Sequence, residues 1–464
     1  MDGRGLAPRA RRQCGRRRQM RRQKLHDWPT REFKMSTIRP FTAIRYTTRP
    51  RNRDISTRLS PPYDVLDQAD KDRFLAADSE NFVAIDLPHV PPKSAGPPEA
   101  YENSRRTMSW WLAEGTLTRD ELPMIYVYHQ KFHYGDKAYT RKMFFARLKL
   151  EPFGTGTVFP HEHTFGGPKE DRLCLTKACS ANLSPIFGLY EDARNEVSRL
   201  LESKLPAEPL ATGKLDGVEN YMWGISAREV IDEAVRLMAP RPIYIADGHH
   251  RYGTGMLHRD WLIGERGELP PEHPANFVLC VFCAMEDPGL LILPTHRVLS
   301  GVVVKAASLQ SDPQLEVRQL NVSGAESVIT ALRNSGPQAV AFHNPAENGY
   351  FVVRPKNPDL LDKLEPDHSP AWRRLGLAFL HAYLLNKVIT PQLCGGSEPA
   401  VQYIKSADEA VAAADQSQGT VFLLQPNTME ELRNVCSAGD LMPHKSTYFY
   451  PKLASGLVIN PLDE

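Results

Sequence analysis

Asp247-Gly248-His249-His250-Arg251 gathers a carboxylate, two imidazoles and a guanidinium around one glycine. An apolar run, Arg241 to Ala246, precedes it, and a helix-like stretch opens at His249. The segment therefore reads as a strand, a sharp turn and a helix N-terminus. Gly248 lets the backbone turn and lets a ligand approach without a Cβ in the way. The first helical turn offers unpaired N–H groups and the positive end of a dipole, a seat for phosphate or another anion. Gly248, His249, His250 and Arg251 are thus candidate phosphate or nucleotide contacts, His250 also a candidate catalytic residue, with Arg251 able to add a bidentate charge-assisted bond. Asp247 would be repelled by a phosphate unless magnesium lies between them or the carboxylate serves as base, which makes it a candidate catalytic residue and magnesium ligand. The local alternative is that Asp247 and His249 simply cap the helix. Gly253 and Gly255 weaken the helix and fit close packing or ligand approach.

A second polar cluster lies in Pro160 to Arg172, with His161, Glu162, His163, Lys169, Glu170, Asp171 and Arg172. Its proline and two glycines predict an irregular loop, the kind of segment where binding residues concentrate. Glu162 could act as general base, and Lys169 and Arg172 could neutralise phosphate. The alternative is a solvated loop whose ion pairs contribute little. Pro294-Thr295-His296-Arg297 and Lys445-Ser446-Thr447 could add donors to the same site or be structural. His161 and His163 with His249 and His250 invite a zinc reading, although neighbouring residues on a helix diverge and chelate poorly. No P-loop or dinucleotide glycine fingerprint stands in the right context.

These residues need strands and helices to hold them. Met124 to Lys131 and Ala138 to Leu148 predict a hairpin around Gly135-Asp136. Tyr101 to Glu114 predicts a helix with Trp110 and Trp111 partly buried. Ser226-Ala-Arg-Glu229 has the spacing of a capping box and opens a helix that Pro240 stops. Phe277 to Met285 and Leu290 to Leu293 predict a second hairpin around Asp287-Pro288-Gly289. Beyond residue 300, helices near 325–334, 371–387, 407–415 and 428–438 alternate with strands 338–343 and 350–354. The expected class is mixed α/β, with a domain over 35–300 and a smaller α/β domain over 301–464.

The chain has 464 residues, 41% of them apolar and 24% charged, as soluble globular proteins do. No apolar run reaches the length of a membrane span. Seven scattered cysteines argue against a disulfide framework and for a reducing, cytoplasmic setting. Cys280 and Cys283 fall in a strand-like run, where i and i+3 face opposite ways, so they read as core rather than metal ligands. The first 34 residues carry twelve Lys+Arg and three Asp+Glu, which leaves 45 basic and 52 acidic residues in the rest. That start is too apolar-poor to pack a core and is expected to be disordered. It reads either as a basic arm or as an extension upstream of a true start at Met35. The acidic remainder argues against a nucleic-acid role for the folded part.

Six segments, "SPPYDV", "PHEHTF…PKEDRL", "ANLSPIFGLY", "IADGHHRY", "LPTHRV" and "MPHKSTYFYPKLASGLV", resemble in order the bacterial and archaeal domain of unknown function 1015 family. More distantly, the DGHHR turn is similar to the phosphate-binding turn of the ParB/sulfiredoxin superfamily, including ADP-dependent free serine kinases. The resemblance implies a ParB/sulfiredoxin-like core with inserted hairpins. It implies nucleotide phosphates (ADP or ATP) at Gly248, His249, His250 and Arg251, and Asp247 near magnesium or a transferred proton. Glu162 is the candidate for a catalytic glutamate, and no cysteine stands between Gly248 and Arg251 for sulfinic acid repair. Three readings stay open: a nucleotide-dependent phosphotransferase on a small hydroxylated metabolite such as serine, a ParB-type nucleotide-binding regulator, and a metal-dependent hydrolase.

Overall fold

The alternation of apolar side chains in Ile243–Asp247 shows how the main sheet is built. Ile243 and Ile245 enter the hydrophobic core on one face, and Tyr244 and Ala246 enter the core on the other. A strand buried on both faces can end on a charged residue only where it leaves the sheet, and Asp247 is that residue. The computed structural model describes residues 37–49, 52–153, 156–162, 166–347 and 349–463. The expectations for the arginine-rich start, for Met35 and for His163 lie outside the described residues.

The main sheet has nine strands. In chain order they are β1 (Ile38–Arg39), β2 (Ile125–Tyr134), β3 (Lys137–Lys149), β4 (Val158–Phe159) and β5 (Ile186–Tyr190). Then come β6 (Ala211–Leu215), β7 (Val218–Ile225), β8 (Ile243–Asp247) and β9 (Phe277–Ala284). Their spatial order is β4-β8-β5-β9-β3-β2-β7-β6, with β1 pairing β3. The β8–β4 and β9–β5 pairs are parallel and the others antiparallel. The β2–β3 hairpin forms around Gly135-Asp136 as its turn residues predict. Strand β9 is buried along its whole length, with Cys280 in one core and Cys283 in the other.

The second sheet has six strands, β11 (His296–Leu299), β12 (Leu315–Leu320), β13 (Val340–His343), β14 (Tyr350–Pro355), β15 (Val401–Ile404) and β16 (Thr420–Leu423). Its order is β12-β14-β13-β16-β11-β15, antiparallel throughout. Helices Ala325–Arg333, Ala407–Gln416 and Met429–Ser437 lie where the sequence puts them. The region around 371–387 differs in kind: Phe379–Ile389 is π-helical. The class is mixed α/β, and Lys34–Glu464 forms one compact unit.

Four local expectations are corrected. The segment Gly166-Gly-Pro-Lys-Glu-Asp-Arg172 is the first half of the helix α1 (Gly166–Cys179), not a loop. Proline at the third helical position removes an N–H that had no intrahelical partner. Ser226 and Glu229 do not form a capping box: the helix Arg228–Met238 starts from Ala227 without a side-chain cap. Leu291–Leu293 (β10) does not fold back on β9 but pairs antiparallel with Tyr448–Tyr450 (β17). Trp111 is fully buried while Trp110 is exposed.

The β10–β17 pairing brings the closing segment back onto the main sheet. Arg141, a fully buried residue of β3, donates to the carbonyls of Tyr450 and Pro451, and Gln130 donates to the carbonyl of Lys452 at 3.1 Å. Lys452, which follows β17, is thereby held beside Asp247 at the end of β8.

Candidate functional site

Gly248 follows β8 with φ +86°, the left-handed conformation that favours glycine, and the helix α2 (His249–Arg266) starts at the next residue. An added Cβ would stand 3.1 Å from the Cα of Ile186 and as close to the Arg251 guanidinium. Asp247 is 22% exposed at its side chain and both its oxygens are engaged. Oδ2 accepts from Lys452 Nζ at 2.6 Å, and Oδ1 accepts from the Gly248 N–H at 2.7 Å with Arg251 Nη2 3.5 Å away. Burial alone would raise this carboxyl, but Lys452 and Arg251 outweigh it and hold Asp247 well below the ordinary carboxylate value. It is therefore a fixed negative charge and a weak base.

The two histidines that flank the turn are held neutral. The Nδ1–H of His161 donates to the Ile245 carbonyl at 2.6 Å, since a carbonyl can only accept. Its Nε2 then accepts from the Thr447 hydroxyl at 2.8 Å. Nε2 of His249 accepts from the His161 backbone N–H at 3.1 Å, and the two rings meet edge to face. Burial pushes both imidazoles down, His249 strongly. Each Nε2 lone pair is already used, so neither ring offers it to a metal. Among the described residues no group of three or more His, Cys, Asp or Glu side chains could hold a metal ion. His250 lies half-buried in the first turn of α2.

Arg251 reaches back to the carbonyl of Pro185 and stands 6.0 Å from the centre of the Tyr63 ring. Arg172, expected among the phosphate contacts, is spent inside the fold instead. It is buried, bonds to Asp171 Oδ2 and to the Asp86 carbonyl at 2.7 Å each, and stands over the Tyr63 ring at 3.8 Å from its centre. Asp171 is fully buried and is also bonded by His89 at 2.6 Å and Tyr101 at 2.8 Å. Lys169 lies along α2 rather than at its start, with its methylenes 3.3 Å from where a Gly253 Cβ would be. Gly255 faces Leu150 and Val278 in the same way, so both glycines serve helix packing. Glu162 is part-exposed and 3.4 Å from His444.

Lys452 belongs to a cavity of about 300 Å³ whose wall also carries Lys405, Tyr448, Asn220 and the Asp70–Arg73 pair. Lys405 Nζ sits 3.8 Å from the Tyr448 ring centre, and Lys452 Nζ 5.5 Å from it. Burial, then Lys452 and Lys445, push Lys405 below the usual lysine value. Asp64, exposed in the Pro-Pro-Tyr-Asp-Val corner, acts on the charges of Lys452, Lys405 and Arg251. Lys452, Lys405 and Asp64 were not singled out from the sequence, although Lys452 and Asp64 stand inside two of the six family-like segments. Thr295 and Arg297 line a different cavity, while His296 is buried and accepts from the Leu424 N–H.

Among the described residues no helix is long and apolar enough to cross a membrane. The structure is similar to a free serine kinase in complex with ADP, at 13% identity, covering 65% of this chain and 89% of that one, with a TM-score of 0.31. It is similar to a conserved hypothetical protein from Pyrococcus furiosus at 16% identity, covering 66% and 92%, TM-score 0.31. It is also similar to C-terminally truncated SbnI from Staphylococcus aureus at 13% identity, covering 66% and 84%, TM-score 0.31. Likeness of this degree says nothing of what the present chain binds. No curated protein matches it. Residues 38–376, well over half of the sequence, match the family described as protein of unknown function (DUF1015), and the chain belongs to that family.

Proposed function

We propose that the cavity beside Asp247 binds a phosphate-bearing nucleotide, ADP or ATP, and that the chain transfers a phosphoryl group to a small hydroxylated metabolite of the size of serine. One observation carries this reading: Lys405, with no ion-pair partner among the described residues, and Lys452, pinned by Asp247, stand at the wall of the same cavity. An anion supplies what such a cluster lacks, and phosphoryl transfer is served mainly by positioning and charge neutralisation. A volume of about 300 Å³ is at the lower end for small-ligand sites.

Asp247 does not suit a resident magnesium, because both its oxygens already accept from N–H donors. Magnesium enters this reading as part of the nucleotide substrate, which commonly brings its own metal and waters. Asp64, an exposed carboxylate that acts on Lys452 and Lys405, is the candidate acceptor for the hydroxyl proton, and Asp216 is a further exposed carboxylate in the cavity wall. Asp247 orients Lys452 and keeps it charged. The strong hold on Asp247 also favours a second reading, a regulator that binds nucleotide without proton transfer.

Calorimetry with ADP and with ATP, each with and without magnesium, tests the proposal. Wild type should bind at least one of them, and Lys452→Met should weaken it roughly ten- to a hundredfold, as loss of a charged hydrogen bond does. No binding of either nucleotide by wild type overturns both readings. Binding with no phosphorylated product from serine or a panel of small alcohols leaves the regulator.

A further inference from the structure

Thr295, Arg297 and Ser446 wall a second cavity, of about 250 Å³, that shares no lining residue with the first. Arg297, from β11, is 1% exposed. Its guanidinium donates to the Thr295 carbonyl and, at 2.9 Å each, to the carbonyls of His444 and Lys445. It stands 5.2 Å from the Tyr403 ring centre. All these partners are uncharged, whereas the buried Arg172 has Asp171 and Arg251 has Asp247. The Arg297 Nε is buried without a hydrogen-bond partner among the described residues. A cation taken out of water without a counter-charge is costly, and an unmade bond of a buried donor adds to that cost.

A second nitrogen, outside the cavity wall, is also left over. His381, in the π-helical stretch, has a buried Nε2 without a partner, and Arg297 and His444 both act on its charge. The hydroxyl residues Thr295 and Ser446 are buried at the cavity wall, Arg333 is exposed and also lines it, and so does Glu431, whose carboxylate accepts from the Thr428 N–H and hydroxyl.

We propose that this cavity is a second ligand site, for a small organic anion whose carboxylate or phosphoryl oxygens give Arg297 its missing counter-charge and its Nε an acceptor. The inference does not depend on the nucleotide reading, because it rests on different residues. Arg333 draws the anion in and Arg297 holds it.

Calorimetry on the full chain with succinate and citrate in one arm, and inorganic phosphate and glycerol phosphate in the other, tests this and tells the two sources apart. At least one probe should bind saturably. Arg297→Met should abolish that binding, and Arg333→Ala and Thr295→Val, which keep Arg297 and its carbonyl bonds, should each weaken it, Arg333→Ala by roughly tenfold. Lys452→Met, in the other cavity, should leave the Arg297-dependent binding unchanged. The proposal is overturned if no probe binds wild type, if Arg333→Ala and Thr295→Val both bind as wild type does, or if binding survives Arg297→Met and is lost in Lys452→Met.

Discussion

Burial works against the charge of Asp247, and two cations, one close by in the chain and one 205 residues away, restore it. Arg251 does this from one helical turn on, in contact with the same carboxylate and with the Pro185 carbonyl. A planar guanidinium can serve both at once from the small separate cavity that it lines with Tyr63 and Asp86, whereas an ammonium serves fewer partners. Arg251→Ala, which leaves Asp247 to Lys452 alone, should therefore weaken nucleotide binding more than Arg251→Lys, which keeps a cation beside the carboxylate, by up to about 1.5–3 kcal/mol for the alanine variant. Calorimetry checks it, and equal losses in the two variants would mean that charge alone is not what Arg251 contributes. Asp171 makes the opposite case. Its carboxylate is the charge partner of Arg172 and accepts from Tyr101, at full burial. Asp171→Ala should cost about 3–5 kcal/mol of stability, because it strands a buried guanidinium. Urea denaturation measures that loss, and a variant as stable as wild type would show Arg172 to be neutralised by Asp86 alone.

The turn between β8 and α2 is the element on which the site depends. Gly248→Ala forces a side chain into a left-handed backbone, which costs about 1–2 kcal/mol, and drives a methyl against Ile186 and Arg251. The variant should melt lower and bind nucleotide more weakly than stability alone explains, since Arg251 must move. An unchanged melting temperature would mean that the turn has relaxed. This turn was legible in the sequence because its signals are local: an apolar alternation, one glycine, then helix. The β2–β3 hairpin was legible for the same reason. The pairing of β10 with β17 was not, because nothing near Leu291 distinguishes a local partner from one at Tyr448. Lys452 was missed likewise: it lies 205 residues from Asp247, and lysine in a proline-rich closing segment carries no signal of its partner. Arg172 was misjudged because charge density in a sequence does not tell a solvated cluster from one folded inward around Tyr63.

Across the whole molecule, histidines buried in the neutral form tie stability to pH. Burial pushes His258, in α2, and His296 and His381, around the second sheet, each down to about 4. His161 and His249 are lowered in the same direction. The unfolded chain takes up protons on these imidazoles near the ordinary histidine value of about 6.5, whereas the folded chain does not until the pH is much lower. Stability is therefore complete above about pH 6.5 and is lost as the pH falls towards 4, by about 1.4 kcal/mol per pH unit for each proton bound only by the unfolded state. Asp247, whose folded value is depressed, adds to the loss at lower pH, as the unfolded chain protonates near about 4 and the paired carboxylate resists. Several such groups in one cooperative unit should make the decline steep. Urea midpoints measured at pH 7.5, 6.5, 5.5 and 4.5 should be level between the first two and fall through the others. Midpoints that stay level to pH 4.5 would mean that these histidines titrate freely in the folded chain, and with that the neutral, hydrogen-bonded His161–His249 pair beside the turn would be lost as well.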